Sequence, residues 1–110
     1  MLRIMHFFNI KPDADEARMF HLINHGLLGY TRAYGCLERK TWTLVDATAQ
    51  AIPAATAAYV NEALWPSQKA ADAFARDWMG DVPNEVKEFR SELDSGVETV
   101  LTVRYIDEAG

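Results

Sequence analysis

Three histidines, His6, His21 and His25, are the side chains of this sequence best suited to moving a proton near neutral pH. Two of them stand four apart in "FHLINHGLLGY", residues 20 to 30. On a helix that spacing puts both imidazoles on one side, a common arrangement for metal ligands. Helical phase argues against the metal. With Ile23 and Leu27 at the centre of the apolar arc, both histidines project the other way, beside Arg18 and Arg32. A cation site wants neutral imidazoles and usually a carboxylate, and none stands at helical spacing to complete a set. No metal is expected. The pair reads either as a solvated helix face or as a face from which His25 is turned inward by a distortion at Gly26.

His6 lies between Ile4 and Phe8 on one face of a strand. A histidine there must be hydrogen-bonded or bear the cost of desolvation. It is a satisfied core or interface residue, or, if it faces a cavity, a general acid or base. Asn24 lies nearer the apolar arc than either helical histidine and could reach a pocket between helix and sheet. Asn61, Tyr59 and Trp65 share a face of a later strand. Arg90 and Glu62 read as surface or ion-paired residues. No Ser-His-Asp arrangement, phosphate-binding glycine loop or nucleotide fingerprint is present, so no flavin, nicotinamide or other organic cofactor is expected.

The chain that must position these groups has 110 residues, enough for one domain spanning 1–110 and too few for a second core. It is 49% hydrophobic and 25% charged, as in ordinary globular proteins. The net charge of −5 and the scattered Lys and Arg argue against nucleic acid and against anionic membrane surfaces. No stretch approaches the roughly 20 apolar residues of a membrane span. "MLRIMHFFNI" alternates and lacks a small-residue cleavage site, so a cytoplasmic protein is expected. The single cysteine, Cys36, excludes an internal disulfide and reads as a small buried hydrophobe.

Residues 2–10 alternate as a strand with both faces largely apolar. A helix begins near Asp13, with Glu16 three residues on as a capping-box partner, and runs toward Tyr34. Gly26 and Gly29 weaken it, and Gly35 suits its C-terminal cap. A second strand is expected over 36–45 and a third over 58–65, joined by the loop "DATAQAIPAATA". Ser67 caps a helix whose stripe is Ala70, Ala71, Phe74, Ala75 and Trp78. "MGDVP" breaks it, a further helical segment carries Val86, Phe89 and Leu93 inward, and "VETVLTVRYI" is the last strand. The order β-α-β-β-α(α)-β is the split βαβ pattern of a ferredoxin-like α+β fold: an antiparallel sheet with helices on one face. The other sheet face is also apolar. Pairing of two subunits through it would give a homodimer, a dimeric α/β barrel.

Over its whole length the chain resembles the dimeric α/β-barrel superfamily, and within it the EthD-like proteins and the antibiotic-biosynthesis monooxygenases. "KPDADEARMFHLINHGLLGY" looks like the EthD-like first helix, in which a Phe is followed five residues later by a His: Phe20 and His25. "ALWPSQKAADAFARD" looks like the strand-to-helix junction of both families, and "VKEFRSELDSG" is similar to the segment before the last strand. The resemblance implies a functional His25. It also likens Asn61 and Trp65 to pocket residues of quinone-forming monooxygenases, an amide that holds an oxyanion and an aromatic that stacks on a planar substrate. Trp65 packing on Phe74 is the plainer alternative. Haem-degrading members take an axial histidine from the second half of the chain, and none follows His25 here.

The reading is therefore a cofactor-independent oxygenase or isomerase acting on an apolar, planar or polyketide-like molecule between the sheet and the first helix. His25 or His6 would move a proton, with Asn61 or Asn24 orienting the substrate and Trp65, Tyr59 and Phe20 lining the pocket. The alternative is a non-catalytic dimeric ligand-binding or stress-related module. A cavity on which a histidine and an asparagine converge favours the first; a space packed solid with rings favours the second.

Overall fold

A computed structural model describes residues 1–46 and 57–107 of the chain. Most of the expected loop between the second and third strands, and the end of the C-terminal tail, lie outside the described residues. Strand β1 (Leu2–Ile10) leads to α1 (Glu16–His21), which continues through a π-helical segment (Leu22–Leu27) into α2 (Leu28–Arg32). Strands β2 (Glu38–Thr43) and β3 (Tyr59–Trp65) follow, then α3 (Gln68–Met79), α4 (Asn84–Gly96) and β4 (Val97–Ile106). The four strands form one antiparallel sheet in the order β2-β3-β1-β4. This is the expected ferredoxin-like α+β topology.

Local chemistry sets the boundaries. The first helix is capped at Asp15, whose carboxylate accepts from the Arg18 N–H at 3.1 Å, and not at Asp13. A turn in which the Ala14 N–H donates to the Lys11 carbonyl at 3.0 Å holds Asp13 outside the helix. The helix ends at Arg32, two residues short of the expected Tyr34. Gly35 then takes φ +101°, which a residue with a Cβ rarely adopts. Ser67 caps α3 as expected, accepting from the Ala70 N–H at 3.1 Å.

The helices cover the face carrying Leu2, Ile4, Phe8, Ala63 and Trp65, all buried. Leu2, Ile4, Cys36, Ala63, Trp65 and Ala71 form one cluster, with Tyr34 and Phe74 packed against it. Each fully buried large apolar side chain contributes about 1.5–3 kcal/mol. Gly26, inside the π segment, lies against α4: a Cβ there would stand 2.6 Å from Cε2 of Phe89. Gly29 has open space. The two glycines expected to weaken the helix therefore differ, and only Gly26 is required for packing.

Register decides what each face carries. On the helix-covered face one row runs Thr41–Asn61–His6–Thr102 across all four strands. On the opposite face a row runs Trp42–Val60–Phe7–Leu101. Trp42 and Leu101 are each 47% exposed, and Tyr105 on the same face is 57% exposed. That face is uncovered in the single chain, and beside its apolar row it carries Lys40, Glu38 and the Arg3–Glu62 ion pair.

Candidate active site

Three residues of that polar row, Asn61, His6 and Thr102, form the floor of a cavity of about 410 Å³. His6, Asn61, Thr102 and Arg39 line it from the sheet, with Phe8 beside them. Ile23 and Leu27 from the first helix, Phe74 and Trp78 from α3, and Leu93 from α4 supply apolar walls. The cavity lies between sheet and helices because α3 and α4 leave the helix side of the edge strand β4 open. A bulge helps: Phe7 pairs with Leu101 but Phe8 pairs with Thr99, so β4 carries one extra residue, Val100. The shift turns both Thr99 and Thr102 toward the cavity, although they are an odd number of residues apart.

Side-chain bonds fix the polar groups. Arg39 Nη1 donates to Asn61 Oδ1 at 2.7 Å, and Asn61 Nδ2 donates to Thr41 Oγ1 at 3.0 Å. Thr41 Oγ1 in turn donates to Asn24 Oδ1 at 2.5 Å, tying the π segment to the sheet. Arg39 Nε donates to Thr31 Oγ1 at 3.3 Å. Asn61 is 2% exposed and Thr31 fully buried, and both are satisfied by this chain of bonds. His6 Nδ1 lies 3.2 Å from Thr102 Oγ1, which orients the imidazole. Burial, and then the nearby Arg39 and Arg104 guanidinium groups, push the His6 pKa down from 6.5 to about 4. His6 is thus neutral at pH 7. Arg104 itself pairs with Asp72 at 2.5 Å.

The expected site residues divide. His6 and Asn61 reach the cavity together. Asn24 turns toward the sheet and accepts from Thr41, but it is not among the residues that line the cavity. His25 does not reach the cavity: it is exposed, its ring 5.2 Å from that of His21. The π segment changes the hydrogen-bonding of the helix without rotating His25 inward, since Leu22 and Ile23 take the buried positions. Trp65 is not a pocket wall. It is 1% exposed in the core and stacks on Phe74 at 5.7 Å, because it pairs with Leu2 at the end of the sheet away from His6. Tyr59 and Phe20 form an edge-to-face pair at 5.0 Å behind Phe8, and the Tyr59 hydroxyl donates to Glu16 at 3.2 Å. They support the cavity from outside its lining. Glu62 is ion-paired with Arg3 at 2.6 Å, and Arg90 donates to the Trp78 carbonyl.

Sequence reasoning missed Arg39, Thr41 and Thr102. In "ERKTWT" the alternation places Arg39 and Thr41 on one strand face, but which face is covered is set by the pairing of β2 with β3. Among the described residues no three His, Cys, Asp or Glu side chains converge as a metal site, and no helix is long and apolar enough to cross a membrane.

Comparison with solved structures agrees with the fold. HapK from Hahella chejuensis is similar over 100% of this chain and 95% of its own, with a TM-score of 0.66 and 13% identity. At3g17210 from Arabidopsis thaliana is similar over 96% of this chain and 93% of its own, with a TM-score of 0.61 and 13% identity. At such identity the likeness is one of fold alone. No protein-family model matches the chain. No curated protein matches it either.

Proposed function

We propose that this protein is a homodimeric, cofactor-independent enzyme of the oxygenase or isomerase type, acting on a planar apolar molecule in the cavity above His6 and Asn61. The observation that carries the reading is the convergence of an imidazole and a hydrogen-bonded amide on a cavity with aromatic and aliphatic walls. In this scheme the neutral imidazole, held by Thr102, takes a proton from an activated C–H or O–H of the substrate. The carbanion or enolate so formed lies beside Arg39 and Asn61, whose donors stabilise the developing oxyanion. It is then reprotonated at another carbon, or reacts with O₂. The first route is an isomerisation and the second an oxygenation. His25 is left without a role in this scheme.

One observation favours the second reading, a dimeric binding module. A histidine with a pKa near 4 is a weak base, so the same cavity could hold a ligand without turning it over. The deciding experiment is an assay with planar hydroxyquinone and polyketide-like substrates, following O₂ uptake and isomer formation. The enzyme reading expects turnover that falls about 10²–10⁴-fold in His6→Ala. Tight binding with no turnover in either protein would leave the binding module.

A further inference from the structure

We propose that Arg39 is the seat for a carboxylate on the ligand, so that the molecule this cavity takes is a planar aromatic acid with its charged end on β2. The inference rests on the reading of the cavity as a ligand site and names the chemistry of that ligand. Arg39 is among the residues lining the cavity, and its guanidinium makes two hydrogen bonds, to Asn61 Oδ1 at 2.7 Å and to Thr31 Oγ1 at 3.3 Å. Both acceptors are neutral. No carboxylate among the described residues lies within ion-pair distance of it, although Arg3, Arg18, Arg76 and Arg104 each have one. Asp94, an exposed residue of α4, also borders the cavity and makes no such pair.

A partly buried guanidinium without a counter-charge is an expensive arrangement. Burial lowers the Arg39 pKa to about 10, which leaves it charged at pH 7. Two of its five N–H groups are placed by Asn61 and Thr31, and these two bonds fix the plane of the fork. Three N–H groups, on Nη1 and Nη2, remain to donate to a carboxylate, the singly charged planar group that Arg commonly binds. A doubly charged phosphate would meet one cation only. Beyond the fork, Phe8, Ile23, Leu27, Phe74 and Trp78 offer a dry slot for an apolar body.

The test compares 2-naphthoate with 2-naphthamide, the same planar body with and without the charge, by isothermal titration calorimetry on the full chain at pH 7. Wild type is expected to bind the acid at least tenfold more tightly than the amide. Arg39→Gln should erase that preference, weakening the acid far more than the amide, and Arg39→Lys should retain part of it. The wild-type comparison stands even if a variant fails to fold. Equal affinities for acid and amide overturn the carboxylate seat and leave the ligand site standing. An acid preference that survives in folded Arg39→Gln overturns the role of Arg39. Failure of both compounds to bind at millimolar concentration overturns the seat and the ligand site together.

Discussion

His6 carries a titration with a defined sign. Its folded pKa is about 4 against an ordinary 6.5. Between those values the unfolded chain takes up a proton that the folded chain refuses. Its contribution to stability is full above pH 6.5 and is lost as pH falls toward 4. At pH 5 the loss from this group is on the order of 2 kcal/mol. His6→Gln removes the titration, so its urea midpoint should fall less than that of wild type between pH 7 and pH 5. Equal falls in the two proteins would show that His6 is not desolvated. Asn61 makes a separate expectation. Asn61→Leu strips a partner from both Arg39 and Thr41, and about 1–3 kcal/mol should be lost in chemical denaturation. At this scale the sequence was only partly legible. His6, Asn61 and Asn24 stood out by residue type inside apolar patterns. Trp65 misled because stacking on a substrate and stacking on Phe74 ask for the same residue. Arg39 and Thr41 went unseen because the covered face of β2 is fixed by its pairing with β3, a long-range fact.

At the scale of elements, the order, the β3 and β4 spans and the Ser67 and Gly35 caps were legible, because each follows from alternation or from a local bond. The first cap was displaced from Asp13 to Asp15 by the Lys11–Ala14 turn, which two equally good acidic cappers in sequence do not distinguish. The π segment was foreshadowed only as a weakness at two glycines, and their environments now separate them. Gly29→Ala meets open space and improves helix propensity, so thermal unfolding should show a gain of about 0.5–1 kcal/mol. Gly26→Ala should show no such gain. Its Cβ would enter the Phe89 ring, which is itself edge-on to Trp78 at 5.9 Å. A gain at Gly26 equal to that at Gly29 would contradict the close helix–helix contact.

At the scale of the molecule, the uncovered sheet face is the feature a single chain does not explain. The row Trp42–Val60–Phe7–Leu101 is apolar across all four strands, and a 110-residue domain has a small core of its own. Pairing two such faces would bury it, which is the basis for the proposed homodimer. Leu101→Glu places a charge at a position already half exposed in the monomer. The variant should therefore keep its fold by circular dichroism while sedimenting as a monomer at micromolar concentration. A wild-type monomer under the same conditions would remove the dimer from the account. This face was legible in the sequence as a strand apolar on both sides.

A ligand in the cavity should meet His6 and leave the other two histidines alone. The chain has three histidines, and His21 and His25 sit together on the exposed helix face. Imidazole resonances followed by ¹H–¹⁵N NMR during titration with 2-naphthoate therefore report on both places at once. The His6 signals should move and those of His21 and His25 should stay. Movement of the His21 and His25 signals with His6 unchanged would contradict this placement.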